Sequence, residues 1–145
     1  MVLIGILAAV LSGVLMSVQG VCNTAVSKSA GLWTTGVFVS LTAALVSFLI
    51  RIFGGQKEDF EVLLQIQPRY LLLGGVFGAL ITGTVVFSIA RLGTAKAELV
   101  IVVSQLIAAY CIALTGWFGS AQEPFSWRKL LALTVAAGGV IWYSV

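Results

Sequence analysis

Six polar residues stand in or at the edge of otherwise apolar stretches: Ser12, Gln19 and Asn23 in one, and Glu98, Ser104 and Gln105 in another. Amides and hydroxyls both donate and accept hydrogen bonds, so they can orient a polar or zwitterionic molecule without fixing its charge. Ser12, Gln19 and Asn23 are spaced by seven and four residues, which at ~100° per residue puts them on one helix face. Glu98 and Gln105, seven apart, share a face in the same way. Glu98 is the one acid with an apolar run directly after it. Such a carboxylate can couple to a proton or a cation. It can equally be an interfacial acid paired with Arg91 or Lys96 at a helix start, where it also suits the helix dipole.

Little other chemistry is spelled out. The chain has no His, no paired carboxylates inside an apolar run and no nucleophile–base spacing, so no catalytic residue is expected and the chain does not read as an enzyme. Cys22 and Cys111 both lie in apolar runs and read as packed thiols rather than a disulfide or a metal site. No metal and no cofactor is expected. The Gly-rich stretch Gly74-Gly75-Val76-Phe77-Gly78 also lies in an apolar run. Small residues there let helix backbones approach closely, and a phosphate would be poorly solvated.

The elements that must position these residues follow from composition. Of 145 residues 60% are hydrophobic and 9% charged, with a mean hydropathy of +1.12. A soluble domain carries about 25% charged residues because its surface faces water, so this chain is expected to face lipid. Residues 1–27, 29–50, 70–90, 99–122 and 130–145 are free of charge. A helix needs ~20 apolar residues to cross ~30 Å of hydrocarbon, and the first four runs meet that outright. The last, of sixteen residues, spans if Lys129 snorkels and the Phe125–Trp127 segment joins the helix. The expectation is an all-α integral membrane protein forming a single membrane domain. Its five transmembrane helices cover about 2–25, 33–50, 70–90, 97–118 and 127–145, with four spans as the fallback.

The turns read as a polar Ser27-Lys28-Ser29 stop before Gly31, a tight turn around Gly93 and a loop with Pro124. The interfacial loop 51–69 holds Lys57, Glu58, Asp59 and Glu61, with Phe60, Leu63, Leu64 and Ile66 as a brief helix. Trp33, Trp117, Trp127, Trp142, Tyr70 and Tyr143 fall at the expected span ends, where an aromatic belt belongs. The apolar N-terminus lacks a basic leader and an A-x-A cleavage pattern, so it reads as a retained first span. Gly5, Ala9 and Gly13, then Gly75, Ala79 and Gly83, then Ala132 and Ala136 recur every four residues as packing faces.

Five spans put Arg51, Lys57, Arg69, Arg128 and Lys129 on the side of the N-terminus, and Lys28, Arg91 and Lys96 on the other. The net charge of +3 is thus accounted for by residues flanking spans, and no nucleic-acid partner is expected. A bias of five against three specifies orientation weakly, and the expectation that follows is an antiparallel, dual-topology homodimer of ten helices. An oppositely oriented paralogue is the alternative partner. Gln19 and Gln105 lie at similar depth from one membrane side, ~10–12 Å in. They either line one cavity or hydrogen-bond to each other or to neighbouring hydroxyls.

Several segments, taken in order, resemble one family. Ser17-Val18-Gln19-Gly20-Val21-Cys22-Asn23 resembles the Q-x-x-x-N opening of the YdcZ-like inner-membrane proteins of the drug/metabolite transporter superfamily. Ser40–Phe48 is similar to the family's second span, and Leu73–Ala79 with Arg91-Leu92-Gly93-Thr94-Ala95 to its third span and the turn beyond. Ser104-Gln105 stands where the family has a Gly-Gln pair, and Ala136-Ala137-Gly138-Gly139-Val140 resembles its closing helix. The resemblance implies a multi-pass bacterial inner-membrane transporter of five helices, which works as a dual-topology dimer, as paired chains or as a fused ten-helix chain. Related small multidrug exporters carry an acid in the first helix; here Gln19 and Asn23 stand there instead. A small polar or zwitterionic solute therefore fits better than a lipophilic cation. A non-transporting partner subunit and an ion channel are the alternatives, the channel disfavoured by polar faces too sparse to form a continuous line.

Overall fold

The computed structural model describes residues 2–55 and 60–144. Lys57, Glu58, Asp59 and Val145 lie outside the described residues. Among the described residues, six α-helices follow in order: α1 (Val2–Ala30), α2 (Leu32–Phe53), α3 (Glu61–Gln65), α4 (Gly74–Leu92), α5 (Thr94–Thr115) and α6 (Trp127–Ser144). Tight 3-10 turns cover Arg69–Leu73, leading into α4, and Trp117–Gly119, leaving α5. Among the described residues there is no strand.

Among the described residues, four helical stretches are long and apolar enough to cross a membrane: Val2–Ala30, Leu32–Phe53, Arg69–Leu92 and Thr94–Thr115. The fifth expected segment also folds as a helix, α6, but Arg128 and Lys129 occupy its first turn and dilute its apolar length. It is not among the four. The brief helix expected in the connection forms as α3.

The end of α1 differs from expectation. The polar turn expected at Ser27-Lys28-Ser29 is helical, and α1 runs to Ala30. The Thr24 hydroxyl donates to the Gly20 carbonyl (2.7 Å) and the Ser27 hydroxyl to the Thr24 carbonyl (2.9 Å). Hydroxyls satisfied inside the helix do not compete with its ladder. Gly31 alone then reverses the chain, at φ 84° and ψ 157°. Gly93, between α4 and α5, adopts the same conformation, at φ 79° and ψ 161°. This corner of backbone space is essentially closed to side chains with a Cβ, so each corner needs glycine.

Burial is inverted relative to a soluble protein. The buried hydrophobic residues among those described are Val86, Ile89 and Ala97, while Leu, Val, Ile and Phe side chains stand exposed along every long helix. In lipid such exposure costs nothing, because the tails are as apolar as the side chains. Trp33, Trp117, Trp127 and Trp142 sit at or next to helix ends, as an aromatic belt requires. Both cysteines are free but exposed rather than packed, since few neighbouring helices cover them within one chain.

The chain divides into two compact units, Met1–Phe87 and Ser88–Val145. In the first, α1 packs against α2, and the Trp33 ring lies at van der Waals distance (3.9 Å) from where a Cβ on Gly83 would be. Cβ atoms added at Gly5 and Gly13 would meet nothing within 4 Å, so that expected packing face on α1 has no partner there among the described residues. In the second unit α6 packs back on α5.

A polar groove between the first two helices

The α1–α2 pair encloses a groove of about 530 Å³. From α1 it receives Gln19, Cys22, Asn23 and Val26; from α2, hydroxyl residues Thr35, Thr42 and Ser47 alternate with Phe38, Val39 and Val46. The one-residue corner at Gly31 brings these two faces together, and Gly20, next to Gln19 on α1, is buried. Asn23 is 9% exposed and Thr35 1%.

Hydrogen bonding separates the lining into two kinds of polar group. Thr35 donates to the Gly31 carbonyl (2.8 Å), and Thr42 donates to the Phe38 carbonyl (2.9 Å). Their donor hydrogens are consumed by their own helix. The Gln19 and Asn23 amides have no hydrogen-bond partner among the described residues. Gln19 is exposed, and the buried Asn23 has no fully buried, unpartnered amide atom. Each primary amide offers two donors and an acceptor oxygen. Leaving such a group in an apolar setting without a partner costs roughly 1–3 kcal/mol on protein scales. The groove therefore favours an occupant, water or solute, that supplies hydrogen bonds. None of its lining residues is ionisable apart from the Cys22 thiol.

The other residues expected to share this role sit elsewhere. Ser12 lies on α1 outside the groove lining and is exposed. Ser104 and Gln105 belong to the second unit, on α5. The Ser104 hydroxyl donates to its own helix, to the Val100 carbonyl (2.8 Å). Gln105 is exposed and has no hydrogen-bond partner among the described residues. Glu98, in the first turns of α5, is half-buried and has no ion-pair partner among the described residues. The structure thus brings together Gln19 and Asn23, and adds Thr35, Thr42 and Ser47 to them. Thr42 and Ser47 were visible in the sequence as polar residues in a span, but only α2's packing selects which face they occupy.

The second unit contains a contrasting arrangement. Tyr110 on α5 donates its hydroxyl hydrogen to the Ser126 carbonyl (3.2 Å) and accepts the Ser126 backbone N–H (2.9 Å). Lys129 pairs with Glu123 and lies over the Tyr110 ring, 6.0 Å from its centroid. The last carbonyls of α5 are met in turn: Gln122 Nε2 donates to Leu114 (3.0 Å), the Glu123 N–H to Ala113 (2.8 Å) and the Gly116 N–H to Ile112 (2.8 Å). Such orphan carbonyls are costly near hydrocarbon, which explains the ordered return of this connection. The groove beside it, of about 290 Å³ between Leu106, Tyr110, Lys129, Ala132 and Leu133, is almost wholly apolar. No polar pattern in the sequence flagged Tyr110 or Gln122, because their partners are backbone carbonyls.

Long apolar helices that expose their hydrophobic side chains, with aromatic residues at their ends, define a multi-pass protein of the cell membrane. The family model described as "Putative inner membrane exporter, YdcZ" matches residues 4–142. The chain belongs to that family of inner-membrane proteins. Neither a curated protein nor a solved structure gives a match.

Proposed function

We propose that the α1–α2 groove holds a small polar or zwitterionic solute, and that the chain exports it by alternating access as an antiparallel homodimer. The observation that carries this reading is the pair of unpartnered amides, Gln19 and Asn23, in a groove between two membrane-crossing helices. A site with hydrogen-bonding amides and no carboxylate or cation selects for polarity rather than for net charge. Weak charge bias across the spans supports insertion in both orientations, with α6 as the fifth span. The uncovered Gly5 and Gly13 positions on α1 suit close approach of a second copy. In that assembly Ser12, Ser104 and Gln105 complete the polar surface offered to the solute. Glu98 serves as the coupling carboxylate.

The test starts from a thermal-unfolding screen of purified protein against neutral, zwitterionic and cationic solutes, because a ligand that binds the folded state stabilises it by mass action. Zwitterionic or neutral polar solutes are expected to stabilise the wild type, and Asn23→Val is expected to abolish that shift. Stabilisation by lipophilic cations alone overturns the reading. Reporters fused to the C-terminus check the assembly: activity on both sides of the membrane is expected. Activity on one side only replaces the homodimer with an oppositely oriented paralogue. For coupling, the pH profile of uptake into proteoliposomes should flatten in Glu98→Gln; an unchanged profile removes Glu98 from that role.

A further inference from the structure

Phe38 is the one aromatic residue that lines the α1–α2 groove. Its ring is exposed and makes no ring or cation contact among the described residues. On α2 it stands three residues after Thr35 and four before Thr42, so it shares their side of the helix, with Thr42 about 6 Å further along the axis. On the other wall, Gln19 and Asn23 are also four residues apart, which spaces the two amides by about 6 Å along α1. A bare aromatic face thus belongs to the same groove as hydrogen-bonding groups carried by both walls.

Those groups are complementary in kind. Gln19 and Asn23 supply N–H donors and carbonyl acceptors. The Thr42 hydroxyl spends its hydrogen on the Phe38 and Val39 carbonyls, at 2.9 and 3.0 Å, and its oxygen keeps a lone pair for accepting. A solute that suits this lining has hydroxyls around its rim and a polarised C–H face for the ring, because an aromatic face is the negative part of the ring quadrupole. It also carries no charge. No lining residue is a carboxylate or a cation, and an ion costs far more than a hydroxyl to take from water without a partner. We infer, building on the solute reading of this groove, that its occupant is a neutral ring polyol of the monosaccharide class, held at its hydroxyls by Gln19 and Asn23 and stacked by one face on Phe38. An open-chain polyol has the hydroxyls without the face. A zwitterion has the polarity but meets no counter-charge.

Alkylation of Cys22, which lines the same groove, reads occupancy of the site directly. It is followed in a Cys111→Ser background, in an amine-oxide detergent that carries no sugar, with sorbitol as the control for general stabilisation by excluded polyols. Methyl glucoside is expected to protect Cys22 at a concentration about fivefold lower than sorbitol, the worth of one aromatic contact, and lower than glycine betaine. Phe38→Leu, which keeps the apolar bulk, should erase the advantage over sorbitol. Phe38→Tyr keeps the ring face and should retain the advantage, and it serves if the leucine variant fails to fold. Equal protection by methyl glucoside and sorbitol overturns the inference, as does an advantage that survives Phe38→Leu. Glycine betaine or nicotinamide acting at a lower concentration than methyl glucoside also overturns it, while leaving a solute in the groove. Protection by none of these, nor by any solute that shifts thermal unfolding, removes the solute from the groove and with it both readings.

Discussion

The corners at Gly31 and Gly93 are built alike and filled differently. Both glycines adopt nearly the same backbone angles, φ 84° and ψ 157° against φ 79° and ψ 161°. Each donates its N–H to the carbonyl four residues earlier, at 2.9 and 3.0 Å, and each carbonyl accepts from the residue four later, at 3.1 Å in both. The residue seven before the corner and the residue four after it are buried in both cases. At the first corner these are Thr24 and Thr35; at the second they are Val86 and Ala97. A shared backbone device is therefore flanked by buried polar residues in one place and buried apolar residues in the other. At the first corner, where α1 packs against α2, the side chains facing inward decide what the two helices meet around. Asn23, beside Thr24, adds an unpartnered amide to the groove at the first corner.

The largest effect should come from breaking the corners themselves. Gly31→Ala and Gly93→Ala each force a Cβ into backbone space that costs roughly 1–3 kcal/mol, and neither Cβ would clash with a neighbour. Equal losses of stability in detergent unfolding are expected. A corner that tolerates alanine would show that the two are not equivalent. Exchanging their fillings sharpens the comparison next. Asn23→Val should leave stability unchanged or raise it, because an unpartnered amide becomes apolar, while uptake falls. Val86→Asn should lower stability by about 1–3 kcal/mol. Parallel stability losses in the two variants would mean that Asn23 is a structural group.

Thr35→Val and Thr42→Val are expected to keep uptake near the wild-type rate, since both hydroxyls donate to their own helix. The exposed Cys22 thiol provides a direct probe of the first groove. In a Cys111→Ser background, its alkylation should slow when a stabilising solute is present, and a rate indifferent to solute would place the solute elsewhere. The smallest effect is expected at the α5–α6 connection. Gln122→Ala removes the bond to the Leu114 carbonyl and should cost about 0.5–1.5 kcal/mol, with no change in solute preference.

Much of this architecture was legible beforehand, and the reason is the solvent. A bilayer demands ~20-residue apolar runs, so charge-free stretches marked the four long helices, and glycines between them marked the corners. Boundaries were less legible. The Ser27-Lys28-Ser29 stretch reads as a turn, yet side-chain bonds to helix carbonyls keep it helical. The candidate site was half visible: seven- and four-residue spacing put Ser12, Gln19 and Asn23 on one face of α1. Spacing alone could not say that Ser12 falls outside the groove while Gln19 and Asn23 line it.

By itself the sequence determined that this protein lives in a membrane, where its helices run and that it is related to inner-membrane exporters. Those properties depend on local composition and length, which carry no information from distant residues. Tertiary structure decided which polar groups remain available. A threonine and an asparagine in one span look equally polar, but Thr24 donates its hydrogen to the Gly20 carbonyl of its own helix. The Asn23 amide is instead brought against α2 with no partner. That distinction arises only when two helices pack, because hydrogen-bond satisfaction depends on what lies across the groove as well as on the residue itself.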